Sequence, residues 1–310
     1  MNDTGPQRAR EPEPPDAEPP LLVPVPPPAR FDDSSAFEPS EAPLSLQPPP
    51  VSPPPGRTVP LDLRTPLGWL DLVLLGIFYL VSGAVLYLLV STGAFLAFGI
   101  SPATLEKSAT ARSIVLIVSQ ALLSGATLLF LFILLRGRSG APFWPAMGWR
   151  HFRGAVSRAS TAAQYAFCGF GLALLVGFVS RYIGQDSDLP MDEMFHSRAS
   201  VLLMMALGIL VAPLVEETIF RGCIYPVIAR KFGLSAGVLA TGILFGLAHA
   251  QQLWGGWGQI ALLAGVGILL TYIRAQAGTV AASYFVHLGY NTTLFAGFYF
   301  ATSGLRYIPS

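Results

Sequence analysis

Residues 201–230 read VLLMMALGILVAPLVEETIFRGCIYPVIAR, an apolar run interrupted in its middle by Pro213, Glu216, Glu217 and Arg221. A helix needs roughly 20 mostly apolar residues to cross a bilayer, and this run supplies them. A charge near the bilayer centre costs several kcal/mol and survives in a sequence chiefly where it does something. The same stretch therefore predicts a membrane span and a polar site inside it.

Outward from this span the pattern repeats. Apolar runs lie near 69–95, 113–135, 160–182, 199–230, 235–252, 257–274 and 279–301, which predicts an all-α, polytopic transmembrane bundle of about seven helices. The composition agrees: 52% of residues are hydrophobic and 12% charged, about half the charged share of an ordinary soluble domain. Mean hydropathy is +0.54. Residues 1–66 differ in kind. They carry most of the 27 prolines, among them Pro26 to Pro28, Pro48 to Pro50 and Pro53 to Pro55, and read as a disordered tail with polyproline II character. Such a tail serves as a solvated spacer or offers PxxP segments to a partner that reads them. The expected organisation is thus a tail over 1–66, N-terminal transmembrane helices over 67–194 and a catalytic transmembrane core over 195–303.

Charge is unevenly placed. Residues 1–56 hold nine of the 18 acidic side chains against three arginines, and the remainder, with 16 basic against nine acidic residues, stands near +7. The arginines fall in short loops between apolar runs and form no basic patch interleaved with aromatics, which argues for topology and against a nucleic-acid partner. The 136–159 loop carries Arg136, Arg138, Arg150, Arg153 and Arg158 and no acid, whereas 184–198 carries Asp186, Asp188, Asp192 and Glu193. The positive-inside rule places the first loop in the cytoplasm, and alternation puts the tail, Arg230, Lys231 and Arg274 on the same side of what is expected to be a bacterial plasma membrane. The N-terminus has no apolar h-region and is not read as a cleavable secretory signal. Arg181 and Arg274, near helix ends, are expected to snorkel to the interface, and Trp254 with Trp257 to form part of an aromatic belt. Cys168 and Cys223 lie in apolar segments without metal-ligand spacing and read as small hydrophobes in a helix.

The ionisable groups inside the spans form a short list: Glu216, Glu217 and Arg221; His249 in LFGLAHA; and His287 with Asn291 in YFVHLGYNTT. Glu217 and Arg221 are i,i+4 and can pair on one face, while Glu216, about 100° around the helix, points elsewhere. His287 and Asn291 are also i,i+4. With Phe232 to Leu234 as the turn, Glu216 and His249 each lie on the order of 25 Å along their helices and can face one another. Carboxylate and imidazole at one buried level activate water, either directly or through a divalent metal such as Zn2+ held by His249, His287 and Glu216. No GxSxG element competes with this reading, and Ser283, four residues before His287, has no other support as a nucleophile. His151 and His196, in loops, carry no assigned role.

The succession EExxxR (Glu216, Glu217, Arg221), FxxxH (Phe245, His249) and HxxxN (His287, Asn291), each in its own apolar helix, resembles the type II CAAX prenyl protease, or CAAX-protease and bacteriocin-processing, family over roughly residues 195–300. The resemblance implies an intramembrane endopeptidase acting on membrane-associated or lipidated peptides or proteins. It implies that Glu216 and His249 activate the attacking water, that His287 and Asn291 stabilise the oxyanion or complete a metal site, and that Glu217 and Arg221 support them. Both a metalloprotease and a glutamate-dependent mechanism are associated with the family. From the residues alone, a proton- or cation-coupled transporter and a non-catalytic membrane scaffold stand beside the enzyme reading.

Overall fold

A backbone surrounded by lipid finds no water to bond, so its N–H and C=O groups must pair within the segment, which a helix achieves. In a computed structural model, residues 63–152, 157–183 and 189–307 are described. Seven long helices dominate them: α1 (Trp69–Phe98), α2 (Ala109–Ser139), α3 (Arg158–Ser180), α4 (Arg198–Phe232), α5 (Leu234–Ala248), α6 (Trp257–Ala277) and α7 (Val280–Ala301). No strand occurs among the described residues. Five of the seven, α1 to α4 and α6, are long and apolar enough to cross a membrane. The expected tail falls outside the described residues except for its last few positions, and Asp186, Asp188 and Arg153 fall outside them as well.

The two remaining helices depart from the expected spans for definable reasons. Helix α5 stops at Ala248 with 15 residues, four short of the predicted end, because the His249 N–H turns inward to the Gly246 carbonyl and closes a tighter last turn. Helix α7 has the length of a span at 22 residues, but Ser283, His287, Asn291, Thr292 and Thr293 dilute its apolar character.

Helix α1 lies at the edge: over 30 residues only Asp71 and Leu75 are buried, and most of its apolar surface faces outward. It is fixed to α2 by the stacked rings of Phe78 and Phe130, 4.2 Å apart, and by the ion pair of Asp71 with Arg138 at 2.8 Å. One core cluster joins Leu75, Leu131, Leu135, Met147, Cys223 and Val227, tying α1 and α2 to α4. A second, with Leu172, Val266, Leu270, Val286 and Tyr290, holds α3, α6 and α7 together. At the end of α4, Arg230 donates to the carbonyls of Thr65 and Leu67, and Leu63 packs with Tyr225 and Ala229. Residues 63–67, at the end of the proline-rich stretch, are thereby docked on the central helix.

One sequence expectation is corrected. Arg274 does not snorkel: it is fully buried, its guanidinium lies over the Tyr225 ring at 5.9 Å, and Gly148 comes so near that an added Cβ would meet its Nη2 at 2.8 Å. The reason is the 142–152 loop, which folds back over the end of α6. Val280 N–H donates to the Gly148 carbonyl, and the Thr279 hydroxyl donates to the Arg150 carbonyl while accepting from the Arg150 N–H.

Small residues set the closest helix approach. At Gly169 of α3 and Gly289 of α7, an added Cβ would collide with the Val286 and Ala166 carbonyls respectively, so the two backbones touch directly. Gly289→Val is expected to cost on the order of 3 kcal/mol as overpacking. The control Gly171→Ala, whose Cβ meets nothing within 4 Å, is expected to leave stability unchanged or slightly raised. Unfolding midpoints in detergent micelles check both.

Candidate active site

Helix α4 is not a uniform helix. It widens into π-helical turns over Leu207–Val211 and again over Thr218–Ile224, and each wide stretch ends just ahead of a proline, Pro213 and Pro226. Proline lacks the N–H for the i→i−4 bond, and its ring crowds the carbonyl four residues back. An extra residue in the preceding turn relieves that conflict, and single wide turns of this kind recur at functional sites. Ala212–Glu217, the α-helical piece between the two, carries both glutamates.

Glu217 is held. Its Oε1 accepts from Arg221 Nη1 at 2.9 Å and from His287 Nδ1 at 2.9 Å, with the carboxylate and the guanidinium wholly inaccessible. Arg221 is held in turn: Nη2 donates to the Gly267 carbonyl at 2.9 Å, Nε to the Thr271 hydroxyl at 3.3 Å, and its guanidinium lies 4.6 Å from the Phe245 ring centre. Phe245, 1% exposed, also packs against both histidine rings, at 4.9 Å from His249 and 5.8 Å from His287.

Glu216 is left open. Its Oε1 lies 3.8 Å from His249 Nε2 and its Oε2 lies 3.8 Å from His287 Nε2, too far for direct hydrogen bonds. The other ring nitrogens fix the tautomers. His249 Nδ1 is 2.8 Å from the Phe245 carbonyl, which can only accept, so Nδ1 carries the proton. His287 Nδ1 faces the charge-paired Glu217 carboxylate and carries its proton for the same reason. Each ring, when neutral, therefore turns an Nε2 lone pair toward Glu216. Three acceptors converge on one space whose edge is reached by solvent, since Glu216 and His249 keep 24% and 21% of their side-chain exposure against 5% for His287. Their natural complement is a species with protons to give or positive charge, such as water or a cation.

Carboxylate and imidazoles with engaged Nδ1 atoms are donors of the kind a divalent metal takes. Their separations are wider than such a site: among the described residues, no group of three or more His, Cys, Asp or Glu side chains could hold a metal ion.

Of the sequence candidates, Glu216, Glu217, Arg221, Phe245, His249 and His287 thus meet in one cluster. Asn291 lies one turn beyond His287, and its Nδ2 donates to the Gly208 carbonyl of α4 at 2.8 Å. One neighbour escaped the sequence reading, and another was seen there without a role. Trp149, from the 142–152 loop, donates through Nε1 to the buried Thr218 hydroxyl at 3.1 Å, one residue from Glu217; no periodicity marks a loop residue for that contact. Ser283, whose place four residues before His287 had no other support in the sequence, stands beside the Glu217 carboxylate.

The stretch spanning these elements has recognisable relatives. Residues 198–293 match the Rce1-like family of type II CAAX prenyl endopeptidases. The matched Rce1-like stretch runs from the start of α4 into α7 and includes every one of the seven candidate residues, Asn291 among them. The chain is also similar to a Bacillus subtilis (strain 168) protein named "Putative membrane peptidase YdiL", 26% identical over 135 residues that make up 41% of this chain and 53% of that protein. The chain therefore spans about half the length of this curated relative. No solved structure matches it.

The two glutamates should separate in a stability measurement. Arg221→Ala strands a buried carboxylate and is expected to cost about 3–5 kcal/mol. Glu216→Ala removes a half-open side chain with no direct hydrogen bond and is expected to change stability by less than about 1 kcal/mol. Denaturant or thermal unfolding of the purified variants reads both.

Proposed function

We propose that this chain is an intramembrane endopeptidase in which Glu216 acts as general base on a water molecule. The observation that carries the reading is the convergence of the Glu216 carboxylate with the His249 and His287 Nε2 atoms, each 3.8 Å away. A water seated among three acceptors gives its protons to them and aims its oxygen lone pair outward. Glu216 takes one proton as the oxygen attacks the peptide carbonyl carbon, while a histidine Nε2 accepts a hydrogen bond from the proton that stays on the attacking oxygen. The proton on the carboxyl group passes to the leaving amine as the C–N bond breaks. Glu217 does no proton chemistry in this scheme; with Arg221 it holds the His287 ring so that Nε2 faces Glu216.

The match to the Rce1-like family and the similarity to a peptidase support this reading, and peptides or proteins associated with the membrane, including lipidated ones, are the substrates it suggests. The arginines at the end of α2, at the start of α3 and between them support placing this connection and the N-terminal tail in the cytoplasm. No step above passes through a metal. A zinc-dependent variant of the chemistry would draw Glu216, His249 and His287 closer together around the ion, and metal analysis of the purified protein measures that separately.

In liposomes, the wild type is expected to cleave members of a quenched peptide library. Glu216→Ala and His249→Ala are each expected to lower the rate by about 10²-fold or more while remaining folded. Full cleavage by Glu216→Ala, or an inert wild type across soluble and lipidated peptides, overturns the proposal. Loss of wild-type cleavage with a chelator, restored by Zn2+, assigns the water to a metal instead.

A further inference from the structure

Asn291 meets no atom of the glutamate and histidine cluster in the contacts described above; what it meets is a backbone carbonyl on α4. That carbonyl is a particular one. In the wide turn over Leu207–Val211, the Ala212 N–H reaches back five residues to Leu207. The next bond in that register would run from residue 213 to Gly208, and residue 213 is proline, which has no N–H. In ordinary helical register Gly208 would be served by Ala212, whose N–H is already spent on Leu207. The helix thus leaves the Gly208 carbonyl without a backbone donor, and Asn291 Nδ2 supplies one at 2.8 Å.

Two further observations bear on this pairing. Gly208 is buried and faces α7 so closely that an added Cβ would lie 2.7 Å from the Phe295 ring, one turn beyond Asn291. Within a membrane, an unpaired carbonyl finds no water to replace the missing donor. A side-chain amide is well suited here because it donates, is uncharged, and sits on the helix that also carries His287.

We propose that Asn291 is a positioning residue: it stabilises the proline-induced wide turn of α4 by donating to the Gly208 carbonyl, and so fixes the register at which Glu216 and Glu217 face His287. Asn291 then acts on the site through α4, by way of the Gly208 carbonyl. The consequence for activity rests on the endopeptidase reading, while the structural claim does not.

A double-mutant cycle in the full-length protein tests it, using Asn291→Ala, Pro213→Ala and the pair. Pro213→Ala restores an N–H at position 213 that can bond the Gly208 carbonyl without help from Asn291. Asn291→Ala alone is expected to lower the unfolding midpoint by about 2–8 °C and to slow peptide cleavage at least tenfold. In the Pro213→Ala background the same substitution is expected to lower the midpoint by less than half as much, and Asn291→Leu, of similar size but with no donor, is expected to behave as Asn291→Ala. Equal midpoint losses in both backgrounds overturn the proposal, whatever the activity does. An unchanged midpoint for Asn291→Ala together with a large loss of cleavage also overturns it, and would assign Asn291 to direct contact with substrate. If the wild type cuts no peptide, the endopeptidase reading fails, while the midpoint cycle still decides for or against the Gly208 contact.

Discussion

The buried pair of Glu217 and Arg221 is the constraint to which the rest of the site is fitted. Both side chains are wholly inaccessible, and burial of two charges away from water is expensive unless every lone pair and proton finds a partner. Attraction across one salt bridge seldom offsets that cost, so the surrounding helices supply further partners: a carbonyl and a hydroxyl from α6 for the guanidinium, an aromatic face from α5, and an imidazole from α7 for Glu217 Oε1, while Oε2 accepts no hydrogen bond among the described residues. Four helices are thereby tied to one point. A substitution there disturbs the bundle as well as the site, which is why Glu217 and Arg221 are harder to interpret from activity alone than Glu216.

The same anchor explains how two adjacent glutamates come to differ. Successive helical residues point about 100° apart, so once Glu217 is committed to Arg221, Glu216 must face the adjoining sector. That sector holds the Nε2 atoms of both histidines, each turned there by a proton on the opposite ring nitrogen. A neutral imidazole has one donor and one acceptor, so fixing the first with protein aims the second. Structure is thus spent on orientation and leaves the reactive atoms unbonded to one another.

Much of this was legible in the sequence, and the boundary has a physical basis. Apolar runs reveal helices because the bilayer selects composition over about 20 residues at a time, and EExxxR reveals a pair because i,i+4 spacing is local. Even so, α5 could not be bounded, because a continuous apolar run does not record where the helix tightens at Gly246 to His249. Arg274 was misread for a different reason. Its position near a helix end is what snorkelling predicts, but the 142–152 loop covers that end, and loop return is a long-range fact that no window of sequence contains. Trp149 escaped for the same cause. Pro213 was visible as a break, yet what it does to the neighbouring carbonyls depends on a partner from α7.

Two of the polar side chains share a function that becomes visible only when the backbone is followed bond by bond. At the end of α5, the His249 N–H turns to Gly246, which withdraws it from the Phe245 carbonyl it would bond in a regular helix; the His249 ring itself then donates to that carbonyl through Nδ1. At the first wide turn of α4, Pro213 withdraws the donor from Gly208, and Asn291 replaces it. In water such gaps are filled by solvent at little cost, so irregular backbone places few demands on nearby side chains. In lipid they must be filled by protein, and the side chain that fills one is fixed in orientation by doing so. Irregular backbone and oriented polar groups therefore arise together in this bundle: the departure from helix frees a carbonyl, and bonding that carbonyl aims the residue that bonds it.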